Sequence, residues 1–347
     1  VLSFFALFIV RKKVSLEQKF LISYMVSEED MTNLTQSLKR IVYITFLIEG
    51  AGMLLLLAGF SYKGGLSWRA LVNAVFHAVS AFCNAGFALF STSLEAYRAN
   101  VFLNGVIALL IILGGISFIV ISNIISVWFP ASEKSEDQPW KRNPLKKKKQ
   151  LSLNTRIVLI YTVILIISGM MVFYILEHGN AMKTYTLGEQ YLTAFFQSVT
   201  LRTAGFNTLP LADLTTATYL VLMIYMFIGG ASGSTAGGIK VNTVALLWGY
   251  LVSQLKGRDT VLIQRYSIAE ERVMKAFLIL LFALTAVSTG TIVLTITEDF
   301  PLEKVMFEAV SAFGTVGLSA GITAGLSGVG KCIIILLMFM GRLGPLT

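Results

Sequence analysis

Three glycines, Gly86, Gly205 and Gly317, sit in copies of one short pattern that is suited to holding a dehydrated cation. The copies are 76–89 (FHAVSAFCNAGFAL), 195–209 (FFQSVTLRTAGFNTL) and 307–320 (FEAVSAFGTVGLSA). Each has a Phe ten residues before the glycine (Phe76, Phe195, Phe307), an Asn-Ala, Thr-Ala or Thr-Val pair directly before it, and Phe or Leu directly after. A cation that sheds its water needs other oxygens. Backbone carbonyls supply them where the chain bends so that successive C=O groups face one axis, and glycine permits the positive φ that such a bend requires. The candidate carbonyls are those of Cys83, Asn84, Ala85 and Gly86, of Arg202, Thr203, Ala204 and Gly205, and of Gly314, Thr315, Val316 and Gly317. Asn84, Thr203 and Thr315 either add a side-chain oxygen or hold the loop by hydrogen bonds. The other reading of a glycine between small residues is a helix packing contact; three copies in register favour the turn.

A second unusual stretch is Gly229-Gly230-Ala231-Ser232-Gly233-Ser234-Thr235-Ala236-Gly237-Gly238-Ile239-Lys240, inside the longest apolar run. Its five glycines between 229 and 238 each cost about 1 kcal/mol relative to alanine in a helix, so the helix breaks here. Irregular backbone at membrane depth is tolerated only against protein or water. Two readings follow: a tight helix-packing patch, or a movable plug beneath the glycine loops. Lys240, and Arg342 in the last apolar helix, are charges too costly to leave in lipid and point to the same constriction. A phosphate-binding loop is excluded, because Ile239 separates Gly238 from Lys240 and Val241 follows. His77 and Glu308, nine residues before their glycines, read as buried hydrogen-bonding groups. Arg202 reads as paired to an acid such as Glu189.

The elements that must position these residues are membrane helices. Of the 347 residues 55% are apolar and 14% charged, and the mean hydropathy is +0.75, far beyond an ordinary soluble fold. The net charge of +9 gathers in loops between apolar runs, where it acts as a topology signal, so nucleic-acid binding is set aside. Cys83 and Cys332 both lie in apolar segments and give neither a disulfide framework nor a metal site, and the two histidines, His77 and His178, lack a partner set. Spanning runs occur at about 40–61, 100–128, 155–176, 216–253 and 273–297. The runs 69–82, 189–201 and 302–313 are too short to span and suit re-entrant half-helices, whose carboxyl ends carry partial negative charge and favour a cation.

The expected fold is an all-α polytopic membrane protein built from repeated units of helix, re-entrant pore helix with loop, and helix. The glycines at 86, 205 and 317 are 119 and 112 residues apart, and a fourth copy would fall before residue 1. The apolar opening VLSFFALFIV would cross roughly half of a ~30 Å hydrocarbon core before Arg11-Lys12-Lys13. The chain therefore reads as a fragment in which 1–13 is the remnant of a first unit's outgoing helix. The 14–38 segment is then a linker, 39–128 the second unit, 129–153 a basic linker, 154–255 the third unit with the broken outgoing helix, 256–271 a linker, and 272–347 the fourth unit. The linkers around 11–40, 129–156 and 254–275 hold six, eight and five Lys or Arg and are expected to be cytoplasmic. Glu95, Glu177, Glu189, Asp213, Glu298 and Asp299 fall on the opposite side, read either as solvated loop residues or as a weak cation funnel. The run at 134–149, with Lys146 to Lys149, suits a plain positive-inside loop or a contact with a partner or anionic lipid.

Taken together, CNAGF (83–87), RTAGFNT (202–208), GGASGSTAGGIK (229–240), GTVGLSAG (314–321) and GRLGPLT (341–347) resemble the Trk/Ktr/HKT family of potassium transporters, in particular its bacterial Ktr membrane subunits. The resemblance covers essentially the whole chain. It implies four units around a pseudo-fourfold pore axis with one glycine per selectivity-filter loop, a gating loop at Gly229, Gly230, Gly233, Ser234, Thr235, Gly237, Gly238 and Lys240, and Arg342 as an arginine below the filter. It further implies K+ uptake, often Na+-dependent, by a homodimer in the cytoplasmic membrane. The implied partner is a cytoplasmic ring of KtrA-type subunits that bind ATP and ADP, and no organic cofactor is expected in this subunit. The departure from the family pattern is the missing first filter loop.

Two transport readings remain open on the residues alone. One is channel-like K+ passage, driven inward at about 2.3 kcal/mol per charge per 100 mV. The other is a Na+-selective or K+/Na+-coupled symporter with alternating access, for which Glu49 is the only obvious acid within an outer span. An intramembrane enzyme is not expected, since the sequence has no HExxH and no paired aspartates in its apolar runs.

Overall fold

The computed structural model describes residues 34–62, 65–128, 150–258, 260–264 and 266–343, with side chains from 39 to 342. The opening 1–13 segment, most of the 14–38 linker and the Lys146 to Lys149 run lie outside the described residues. The stretch expected to form the second unit holds α1 (Leu34–Ser61), α2 (Trp68–Phe82), α3 (Val101–Gly115) and α4 (Phe118–Trp128), and the labels second, third and fourth are kept for the three groups of helices. The third holds α5 (Leu153–Glu177), α6 (Leu187–Thr200), α7 (Thr216–Phe227) and α8 (Val241–Leu255). The fourth holds α9 (Glu270–Thr297), α10 (Leu302–Gly314) and α11 (Gly328–Leu343).

Helices α1, α5 and α9 run 28, 25 and 28 residues, and each carries an apolar stretch long enough to cross a bilayer. Their Leu47, Ile164, Ile167, Leu281 and Ile296 face outward, as lipid-facing helices require. In lipid, apolar area gives no drive for helix association, so packing relies on close contact between small residues. Gly59 and Gly290 show this: a Cβ would lie 2.5 Å from Leu103 on α3 in the first case and 2.7 Å from Leu337 on α11 in the second.

The half-helices α2, α6 and α10 have only 15, 14 and 13 residues. The starts of α2 and α6 are fixed by local capping, whereas α10 begins directly after Pro301. The Ser67 hydroxyl accepts from the Ala70 amide at 3.1 Å, and Thr186 with Glu189 forms a reciprocal capping box. α2 packs on α1 and α3, α10 on α9 and α11, and α6 on α5, and α6 and α10 also pack on the outgoing helix of the unit before, α3 and α7 respectively. Two buried clusters reflect this hand-over: Phe196, Val199, Ala204 and Phe206 of the third unit join the second unit's core, while Phe307 and Phe313 of the fourth join the third unit's.

Two outgoing helices are broken, where the sequence pattern pointed to one. The 100–128 run is not a straight span: α3 and α4 meet at 99°, with Ile116 extended between Gly115 and Ser117. A Cβ on Gly114 would collide with the Phe82 carbonyl oxygen, so the glycine lets the end of α2 approach this bend closely. The 256–271 linker also holds a two-stranded antiparallel hairpin, β1 (Val261–Ile263) with β2 (Tyr266–Ile268).

Candidate functional site

Each half-helix is followed within three residues by a left-handed residue that is not glycine. Asn84 and Thr315 occupy φ of 50° and Thr203 φ of 72°, followed two residues later by Gly86, Gly317 and Gly205 at 74°, 88° and 82°. Positive φ is rare for a β-branched residue and marks a position that its surroundings impose. The intervening Ala85, Ala204 and Val316 are not at positive φ, so left- and right-handed backbone alternate along each loop. The second and fourth loops close in the same way. Ala85 N–H donates to Ser80 C=O at 2.8 Å and Val316 N–H to Ser311 C=O at 2.9 Å, with Asn84 and Thr315 donating to Ala81 and Ala312.

The three loops meet. A Cβ on Gly86 would collide with the Ala204 carbonyl oxygen and lie 2.8 Å from Gly205 Cα. On Gly205 it would lie 2.5 Å from the Val316 carbonyl oxygen, 3.1 Å from Gly86 Cα and 3.4 Å from Gly317 Cα; on Gly317, 3.6 Å from Gly205 Cα. These contacts are between loop backbones of different units, unlike the helix contacts at Gly59 and Gly290. Carbonyls and the negative ends of three half-helices are thus gathered at one place, an arrangement that favours a cation.

The middle loop differs from its neighbours. Its closing bond runs from Ala204 N–H to Thr200 C=O at 2.9 Å, one residue shorter than the other two. Counted from that bond, Phe196 takes the place of Phe76 and Phe307, although Phe195 is the residue ten before Gly205. The adjacent Phe-Phe pair made both choices available. With that alignment Gln197 corresponds to His77 and Glu308, and all three are buried.

Side chains on α2 and α10 clamp their own loops. The Ser80 and Ser311 hydroxyls donate to the carbonyls of Phe87 and Leu318 at 2.8 and 2.6 Å. His77 Nε2 lies 3.4 Å from the Leu89 amide, and Glu308 accepts from the Ala320 amide at 3.1 Å, from Thr323 at 3.0 Å and from Ser319. Residues 89 and 320 stand at the same offset after their glycines. Ser80 and Ser311 were missed on the sequence, although the shared quartet Val-Ser-Ala-Phe at 79–82 and 310–313 carries the signal. The expected pair between Arg202 and Glu189 does not form: Glu189 faces Arg98 at 3.9 Å, while Arg202, 4% exposed, has no acid partner among the described residues. The outer loop of the second unit brings Arg98 to that place, which sequence separation hid.

The break between α7 and α8 docks on both broken-helix and loop backbone. Its two ends are tied together, with Gly229 N–H donating to Ile239 C=O at 2.8 Å and Val241 N–H to Gly230 C=O at 3.0 Å. Ala231 and Thr235 N–H donate to Gly115 and Gly114 C=O at 3.0 and 3.2 Å, so this break lies against the α3/α4 bend. The Thr235 hydroxyl donates to Gly114 C=O at 2.9 Å and lies 3.2 Å from the Asn84 amide group, while a Cβ on Gly237 would collide with the Thr315 hydroxyl. Gly233 and Gly238 take positive φ, and the Ser234 hydroxyl accepts from the Ala236 amide at 3.3 Å. Lys240 Nζ donates to Ala236 C=O at 2.6 Å and Arg342 Nη1 to Thr235 C=O at 2.5 Å. Two cations thus hold the carbonyls of one loop that touches the second and fourth glycine loops. Nearby, the Cys83 thiol lies 3.7 Å from Glu49 Oε1.

The outer acids are not uniformly solvated. Glu177 is fully buried and accepts from Thr215, Thr218, Asn180 and the Ala181 amide; Glu298 is 8% exposed and accepts from the Ser327 amide at 2.9 Å and hydroxyl at 2.5 Å. Both tie an incoming helix to the start of its unit's outgoing helix. The Ser327 hydrogen bonds hold the Glu298 carboxyl below the usual range, and those of Thr186 do the same for Glu189. Burial pushes Glu95 up, opposed by the Asn207 amide that donates to it at 2.8 Å.

Long lipid-facing helices, half-helices and meeting loops define a multi-pass helical protein of the cell membrane. The family model of TrkH, the cation transport proteins, matches residues 1–347, and the chain belongs to that family. It is 36% identical over 349 residues to the Ktr system potassium uptake protein B of Vibrio alginolyticus, covering 100% of this chain and 73% of that protein. It is 35% identical to the protein of the same name from Bacillus subtilis (strain 168), covering 98% and 72%, and 34% identical to the potassium/sodium uptake protein NtpJ of Enterococcus hirae, covering 99% and 73%. The crystal structure of the potassium transporter TrkH from Vibrio parahaemolyticus shares the fold, with a TM-score of 0.67 at 20% identity over 90% of this chain and 63% of that one.

Proposed function

We propose that this chain is the ion-translocating part of a potassium-uptake system, with the backbone carbonyls of 83–86, 202–205 and 314–317 as its selectivity filter. The observation that carries the reading is the meeting of Gly86, Gly205 and Gly317, each at positive φ and each within reach of a neighbouring loop's backbone. The names of the relatives supply the ion. The 229–240 loop is the gate: it rests on the second and fourth loops from one side and is held by Lys240 and Arg342, so moving it opens the path below the filter. The membrane potential drives the ion inward without any catalytic group.

The finer assembly follows the family resemblance and the word "system" in the relatives' names. It is a homodimer with a cytoplasmic KtrA-type nucleotide-binding ring, Na+-dependent in its activity. A second reading, Na+ passage or K+/Na+ coupling, is favoured by the potassium/sodium relative and by Glu49 beside Cys83 at the base of the second loop. Uptake of K+ and Na+ titrated against each other, with the full-length protein in liposomes and with and without the ring, decides between them. The first reading requires K+ to saturate uptake while Na+ only activates; uptake of both ions in fixed ratio sinks it.

A further inference from the structure

The third glycine segment carries polar groups that find no partner among the described residues. Between Thr193 and Thr208, eight buried side-chain atoms have no hydrogen-bond partner among the described residues: the hydroxyls of Thr193, Thr200, Thr203 and Thr208, both amide atoms of Gln197, and Nε and Nη2 of Arg202. The corresponding stretches 74–89 and 305–320 contribute none. The difference is one of design, since the equivalents of Gln197 and Thr200 in those stretches, His77, Glu308, Ser80 and Ser311, all reach their own loops. Thr193, Gln197 and Thr200 stand at positions i, i+4 and i+7 of α6 and share one face.

A buried guanidinium with no counter-charge among the described residues is costly, and three acids of the third and fourth units are engaged elsewhere: Glu189 with Arg98, Glu308 with Ser319, Ala320 and Thr323, Glu177 with Thr215 and Thr218. The unpaired set contains donors (Arg202, Gln197 Nε2), an acceptor (Gln197 Oε1) and four hydroxyls that can be either. Water satisfies such a mixture; an anion, which only accepts, does not.

We infer that ordered water behind the third loop bridges these groups, and that Arg202, kept charged by it three residues before Gly205, sets how long a cation stays in the filter. The inference rests on the filter reading above. A fixed positive charge beside a cation site shortens residence there, raising the half-saturating K+ concentration and speeding release.

The test uses the full-length protein in liposomes, with gel filtration to confirm folding. Arg202→Gln lowers the half-saturating K+ concentration at least threefold and lowers the maximal rate, whereas Arg202→Lys keeps both within twofold of the parent. A merely structural arginine gives a lower maximal rate with half-saturation unchanged in Arg202→Gln, and that result overturns the assignment, as does a lysine variant that behaves like the glutamine one. Hydration is read separately: Thr200→Val and Gln197→Leu lower the melting temperature if water bonds these groups. A rise shows the site to be dry and removes the inference even where Arg202→Gln does not fold. Gly205→Ala separates the two levels. Uptake that survives it refutes the filter itself; uptake lost there but indifferent to Arg202→Gln refutes only the role of Arg202.

Discussion

The third glycine loop and the two that flank it solve one problem in two ways. All three hold a strained turn at the end of a half-helix. In the second and fourth, a serine hydroxyl and a buried His or Glu on the half-helix reach forward to the residues after the glycine, so the turn is fastened by its own helix. In the third, the turn is one residue shorter, the equivalent Thr200 and Gln197 find no partner among the described residues, and a buried arginine lies three residues before the glycine. Fastened loops give a ring its shape, whereas a loop surrounded by unpaired polar groups leaves room for its electrostatics to be set by a single charge.

The largest effects are expected at the glycines, and they are ordered. Gly86→Ala and Gly205→Ala drive a methyl into the backbone of the adjacent loop and abolish K+ uptake. Gly317→Ala, whose methyl finds its nearest atom at 3.6 Å, keeps part of it, losing only the roughly 1–2 kcal/mol of a left-handed alanine. Initial uptake rates in liposomes rank the three, and equal losses at all three break the comparison. Next comes Glu308→Ala, which strips a buried acceptor from Ser319, Thr323 and the Ala320 amide and destabilises the protein by about 3 kcal/mol, with Glu308→Gln losing less. Thermal melting in detergent checks it. The smallest effects sharpen the contrast: Ser80→Ala and Ser311→Ala each cost about 1 kcal/mol and loosen K+ over Na+ discrimination. Ser198→Ala, which cuts a 2.7 Å bond to Ile166 C=O on α5 and touches no loop, costs a similar amount with discrimination unchanged.

The helical membrane fold was legible because apolar length is a coarse and strong signal. The runs 69–82, 189–201 and 302–313 stand beside the observed Trp68–Phe82, Leu187–Thr200 and Leu302–Gly314. Glycine repetition likewise pointed to the three turns. What could not be read depended on contacts between units. The 99° bend at Gly115–Ser117 lies in an unbroken apolar run, and its backbone is met by Ala231 and Thr235 from a segment more than a hundred residues later. The Phe195–Phe196 pair fits the pattern in two registers, and only the closing hydrogen bond chooses between them. Glu189 looked free to meet Arg202 because nothing local shows that Arg98 arrives first, with its guanidinium also 4.4 Å above the Tyr185 ring. The hairpin at 261–268 has strands of three residues, too short for an alternating pattern to register.

A cation is expected to sit among the carbonyls where Gly86, Gly205 and Gly317 meet. Anomalous diffraction from crystals of the full-length protein grown in Rb+ or Tl+ measures this directly. The expected result is a peak ringed by the backbone oxygens of 83–86, 202–205 and 314–317. A peak elsewhere in the membrane region, with none among these loops, contradicts it.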